Sequence, residues 1–155
     1  ESISQFQEMC ERAGKDIRIC IEFGEFTNIK SLIKAKEFVS LVNHPSAGIL
    51  IDLMHLNRSG DTLPNLKDEL YPYIQGCDFK QDSTTMAGMD YIEAAVDSRC
   101  CLGDGEARTD DINLMCKSNK DVSLEIRSLD LRQKYPNPFE RARAIFEKCN
   151  KNLYL

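Results

Sequence analysis

An α/β fold with a parallel sheet, amounting to half of a (βα)8 barrel, is what this sequence predicts, and three observations carry it. Short β-rich runs alternate with helical patterns, as consecutive βα units do. Two of the runs, IRICIEF and AGILIDL, are almost continuously apolar and end in or beside a carboxylate, as strands buried on both faces of a parallel sheet read. Only four such runs are visible, half of what a closed barrel needs.

The strand candidates are Ile17 to Phe23, Ala47 to Leu53, Tyr73 to Asp78 and Val122 to Ile126. Between the first two, Ile29 to Asn43 places apolar residues at 29, 32, 33, 35, 38, 39 and 42, close to a 3.6 period. That helix must stop before Pro45, because the residue preceding proline is pushed out of the α region. The long interval before the fourth strand holds Ser83 to Gly105, whose small residues and LGDGEA end predict an active-site loop with one short helix. Asn137-Pro138-Phe139-Glu140 supplies an N-cap, a first-position proline and a following Glu for a last helix. Phe139, Ala142, Phe146, Cys149 and Leu153 are expected to line its buried face. The whole chain, 1–155, is thus one half of a single barrel domain. It opens on Glu1 in what reads as the middle of a helix, so an N-terminal half barrel, or a second copy that closes the barrel, is the expected partner.

Composition limits what such a domain can do. A chain of 155 residues with 42% hydrophobic and 29% charged residues is globular rather than disordered. No apolar run is long enough for a membrane span, and Glu1 to Gln7 lack a signal-peptide pattern, so a soluble, cytoplasmic protein is expected. A net charge of -5, without a Lys/Arg block, argues against a nucleic-acid partner. The seven cysteines are odd in number, and Cys20, Cys77, Cys116 and Cys149 lie in apolar stretches where a reduced thiol acts as a small hydrophobe. No Cys/His spacing suits structural zinc.

Chemistry enters at the strand ends. Glu22, Asp52, Asp78 and Glu125 each close, or nearly close, a different expected strand, and that end of a barrel is where active sites lie. Like charges gathered in one cleft call for a cation or raised pKa values, and a divalent metal is the economical answer. Glu25 is a competing candidate beside Glu22, but the strand phase favours Glu22. Gly103 and Gly105 permit tight turns, and their lone GxG carries no phosphate cradle.

The segments IEFGEFTNI, LIDLMHLNRSG, YIQGCD, SRCCLGDGE and VSLEIRS resemble, in order, the strand-end motifs of the xylose-isomerase-like TIM barrel superfamily of sugar isomerases and epimerases. They span nearly the whole chain, and the resemblance makes it the C-terminal half, the last four βα units. It implies one divalent metal held by Glu22, Asp52, Gln75 and Glu125. Gln75 stands where the family more often has His, and Asp78 fills the Asp three residues beyond that ligand. Asp52-x-x-His55 matches a spacing in which Asp binds metal and His contacts substrate. Arg99, just before the LGDG loop, and Arg58 are further candidates for substrate binding.

Three carboxylates and an amide oxygen form a hard donor set that suits Mn2+ or Mg2+ better than Zn2+. The implied reaction is isomerisation or epimerisation, or a related dehydration, of a sugar, keto-sugar or cyclitol through a metal-stabilised enediolate. Glu22 and Glu125 would be the acid/base pair on opposite faces of the substrate. Two alternatives stand beside it. An apurinic-endonuclease-like phosphodiesterase would need many histidines, and the chain has two. A non-catalytic half barrel that self-associates would hold metal weakly.

Overall fold

The computed structural model describes residues 2–80 and 95–153. Most of the loop and short helix expected over Ser83 to Gly105 lies outside them. In chain order the elements are α1 (Ser2–Ala13), β1 (Ile19–Glu22), α2 (Leu32–Val42), β2 (Ala47–Asp52), α3 (Leu53–Arg58), β3 (Tyr73–Gly76), β4 (Asp78–Phe79), β5 (Arg99–Cys100), α4 (Thr109–Cys116), β6 (Val122–Leu124), α5 (Leu129–Lys134) and α6 (Pro138–Leu153). Four strands form one parallel sheet in the order β1-β2-β3-β6, and β4 and β5 pair as a small antiparallel ribbon. This is the half-barrel topology the sequence predicts.

Alternation along each strand gives the sheet two unlike faces. The register aligns Ile21 with Ile49, and Ile51 with Ile74 and so with Val122. Ile49, Ile51 and Ile74 are fully buried on the helix-covered side. The other face carries Cys20, Leu50, Tyr73 and Ser123, and there Tyr73 is 46% exposed. In a closed barrel that second face is the packed interior.

The helices obey their local signals. In α2 the Ser31 hydroxyl caps the Lys34 amide, Leu32, Ala35, Val39 and Val42 turn inward, and Asn43 ends the helix at φ 46°. The strands are shorter than the apolar runs. Ile17 is 55% exposed ahead of β1. The run Tyr73 to Asp78 breaks at Cys77, where the chain leaves the parallel sheet for the β4–β5 ribbon.

The last helix departs from expectation. Asn137 caps it, its side chain accepting from the Phe139 amide at 2.9 Å. Yet Phe139 is 85% and Phe146 59% exposed, while Cys149 is fully buried. The helix meets the rest of the chain through Cys149, half-buried Ile145 and the Lys148–Asp104 ion pair, so its contact line lies beside the aromatic stripe rather than on it. None of the seven cysteines is in a disulfide.

Candidate metal centre

Parallel register decides which strand-end side chains share a face. Glu22 aligns with Leu50, two residues before Asp52, and Asp52 aligns with Gln75. Gln75 aligns with Ser123, two residues before Glu125, and the ladder continues that far because the Glu125 amide donates to the Gly76 carbonyl at 3.2 Å. With side chains alternating every residue, Glu22, Asp52, Gln75 and Glu125 all stand on the inner face at the C-terminal ends of four adjacent strands.

Asp52 is the fixed point. Its Oδ1 accepts from the Met54 and His55 amides at 2.9 and 3.0 Å, capping α3, a one-and-a-half-turn helix that the Asp-x-x-His spacing conceals. Capping turns His55 back over the strand end. Donor atoms of Glu22, Asp52 and His55 then lie within 4.8 Å of one another, with His55 Nε2 3.7 Å from Glu22 Oε1. His55, expected from the sequence as a substrate contact, thus joins the candidate ligands beside the expected Gln75.

Electrostatics mark the same spot. Burial, and then the neighbouring charges of Asp52 and Glu125, push the Glu22 carboxyl up to about 7 despite the opposing pull of Arg99. Burial lowers the His55 pKa against the opposing pull of Asp52, and Arg99 and Arg58 reinforce the lowering, leaving a neutral imidazole able to donate a lone pair. Two buried polar atoms here have no hydrogen-bond partner, Gln75 Oε1 and His55 Nδ1. Crowded carboxylates and an orphaned amide oxygen on one face fit a cation.

Arg99 does not stand at a substrate-facing rim. It is 3% exposed, and its Nη1 donates to Asp52 Oδ2 at 2.5 Å, to Cys77 Sγ at 3.2 Å and to the Glu125 carbonyl at 3.5 Å. Its Nε donates to the Ala95 carbonyl at 2.9 Å, and its Nη2 lies 3.9 Å from Glu125 Oε2. Arg58 sits to one side, its guanidinium 5.9 Å from the Phe79 ring centre. Glu25 is exposed in the loop beyond β1 and takes no part in the cluster.

Three further contributors have contacts here that the sequence does not announce. The half-exposed Phe26 ring packs edge-on against His55 at 5.4 Å, and Gly24 leaves room for it, since a Cβ there would meet Phe26 at 3.3 Å. Cys77, its thiol pushed up to about 12 chiefly by burial, is a neutral neighbour of Arg99. Asp78 is buried and gathers four backbone amides: Phe79 and Ala107 on Oδ1 at 2.8 and 2.9 Å, Gly103 and Gly105 on Oδ2 at 3.1 and 2.9 Å. A Cβ on Gly105 would lie 2.3 Å from Asp78 Oδ1, so glycine is required there by close approach. The loop partners of Asp78 and the Arg99 partner of Cys77 lie more than twenty residues away and leave no sequence signal.

Sheet order and strand phase are those of one half of a TIM barrel. The IolI protein, solved with a binding zinc atom, superposes with a TM-score of 0.73 and 18% identity, over 98% of this chain and 54% of that one. A xylose isomerase domain protein from Alicyclobacillus acidocaldarius gives 0.67 and 18%, over 98% and 58%. The probable 3-DHS dehydratase AsbF of Bacillus anthracis, involved in petrobactin synthesis, gives 0.65 and 18%, over 84% and 51%. The chain spans about half the length of each, and at such identity the likeness is one of fold. No family model and no curated protein sequence matches it.

Proposed function

We propose that this chain carries the metal-binding half of the active site of an isomerase, epimerase or closely related dehydratase acting on a sugar, keto-sugar or cyclitol. The observation that carries the reading is the single inner face shared by Glu22, Asp52, Gln75 and Glu125, with donor atoms of Glu22, Asp52 and His55 within 4.8 Å. A divalent cation held there would act as a Lewis acid toward a carbonyl and an adjacent hydroxyl. Mn2+ and Mg2+ suit the carboxylates, but the imidazole of His55 adds a nitrogen donor, so the donor set no longer disfavours zinc.

The residues divide the work by chemistry. Glu22, with its carboxyl near 7, holds or releases a proton at neutral pH and serves as one acid/base group. Glu125, three strands away on the same face, is the other. The neutral imidazole of His55, steadied by Phe26, orients a metal or a substrate oxygen. In the full-length protein, Glu125→Gln is expected to lower turnover by roughly 10² to 10⁴ with the fold intact. Near-normal turnover in that variant would remove Glu125 from the mechanism.

Two further expectations belong to this reading. The exposed inner face around Tyr73 would be covered by an N-terminal half barrel or by a second copy. Sizing of residues 1–155 alone should then show dimers or larger species, and a monodisperse monomer would count against it. Seven cysteines outside any disulfide suit a reducing, cytoplasmic setting, checked by fractionation, and among the described residues no helix is long and apolar enough to cross a membrane.

A further inference from the structure

Asp52 is fully engaged. One oxygen caps α3 through two amides, and the other takes the shortest contact of Arg99. Both partners of that ion pair are almost wholly buried, their side chains 2% and 1% exposed. The same guanidinium reaches Glu125, which shares the inner face. A buried carboxylate cluster needs a positive partner, and Arg99 contacts two of its members.

A divalent ion would use the same oxygens. With its ligands at about 2.0 to 2.6 Å, an ion on Asp52 Oδ2 would lie within ~5 Å of the Arg99 guanidinium. Two cations at that separation in a buried site repel strongly. Oδ1 offers no escape, because leaving the Met54 and His55 amides would uncap α3 and release His55 from the cluster.

We propose that the Arg99 guanidinium is the resident cation of the metal-free centre, and that a divalent metal enters in exchange for it at Asp52. The inference rests on the metal-centre reading given above. Arg99 is then a positioning residue until metal binds, and metal entry frees its donors for a substrate oxygen. Metal loading therefore comes before productive substrate binding.

Calorimetric titration of Mn2+ into the full chain and into Arg99→Met and Arg99→Lys tests this. Removing the competing charge should tighten Mn2+ binding at least ~10-fold in Arg99→Met, while Arg99→Lys stays near wild type. Equal or weaker binding in Arg99→Met, with wild-type binding intact, overturns the exchange and leaves the metal centre standing. Absence of Mn2+ binding in all three proteins overturns both the exchange and the metal centre. A second readout needs no variant that must fold: NMR of the arginine side-chain N–H groups of the wild type. Saturating Zn2+ should shift the Arg99 Nη signals and speed their exchange with solvent, and signals unmoved by bound metal would sink the proposal.

Discussion

Two buried aspartates stand at neighbouring strand ends and are put to opposite uses. Asp78 gives both oxygens to backbone: Phe79, Gly103, Gly105 and Ala107 all donate to it, and the β4 end and the LGDGEA loop are tied into one piece. Asp52 gives one oxygen to backbone and turns the other toward Arg99 and the inner face. A carboxylate satisfied by amides of its own fold has no exchangeable partner. One held by a side-chain cation has, and that difference separates a structural aspartate from one available to a metal or substrate.

The largest effect follows from the side with no exchangeable partner. Asp78→Ala strips four amides of their acceptor, at about 1 kcal/mol or more each, so a loss of roughly 4 kcal/mol is expected. Against a total of about 5 to 15 kcal/mol, that leaves the domain near its unfolding threshold. Urea titration with and without Mn2+ checks it, and added metal should not restore the loss. Asp52→Asn is expected to cost less, about 3 kcal/mol. The amide oxygen still caps Met54 and His55, and what is lost is the anion facing Arg99. Its mark is the disappearance of metal binding. Were Asp78→Ala rescued by Mn2+, or Asp52→Asn to bind metal normally, the contrast between the two would collapse.

Much of this arrangement could be read from the sequence, and the reasons for the remainder are physical. Strand ends and phase were readable because period-2 alternation is local, which is why Glu22, Asp52, Gln75 and Glu125 fall on one face as expected. His55 is recognisable as a site residue, but its closeness to Glu22 and Asp52 depends on the cap that Asp52 makes, a contact that the spacing alone does not describe. Arg99 was recognised as charged and near the loop. Its burial against Asp52 is a contact across 47 residues that no periodicity announces. The last helix shows the opposite failure, since Phe139 and Phe146 mark an apolar stripe correctly but say nothing about which neighbour meets it. Asp78 was noticed as a family position, yet its four amides come from its own neighbour and from a loop 25 to 29 residues on.

The smallest expected effect sharpens the comparison electrostatically. Glu22 titrates from about 7 in the folded, metal-free protein, against 4.5 for the free side chain, and Asp52 is the second cause after burial. A carboxyl whose pKa is raised by folding takes up a proton on folding between those values. Its contribution to stability is therefore present below pH 4.5 and is lost as the pH climbs through 7. The Glu22 side chain is 43% exposed, so solvent screening keeps the change under ~1 kcal/mol. With a chelator present, the urea midpoint of the wild type should fall between pH 5 and 8 relative to that of Glu22→Gln, which lacks the titrating group. Asp52→Asn should flatten the same slope in part, by removing one of the charges that raise Glu22. An unchanged slope in Glu22→Gln would show that the pH dependence arises elsewhere, and that the carboxylates at the Asp52 end are not crowded enough to feel one another.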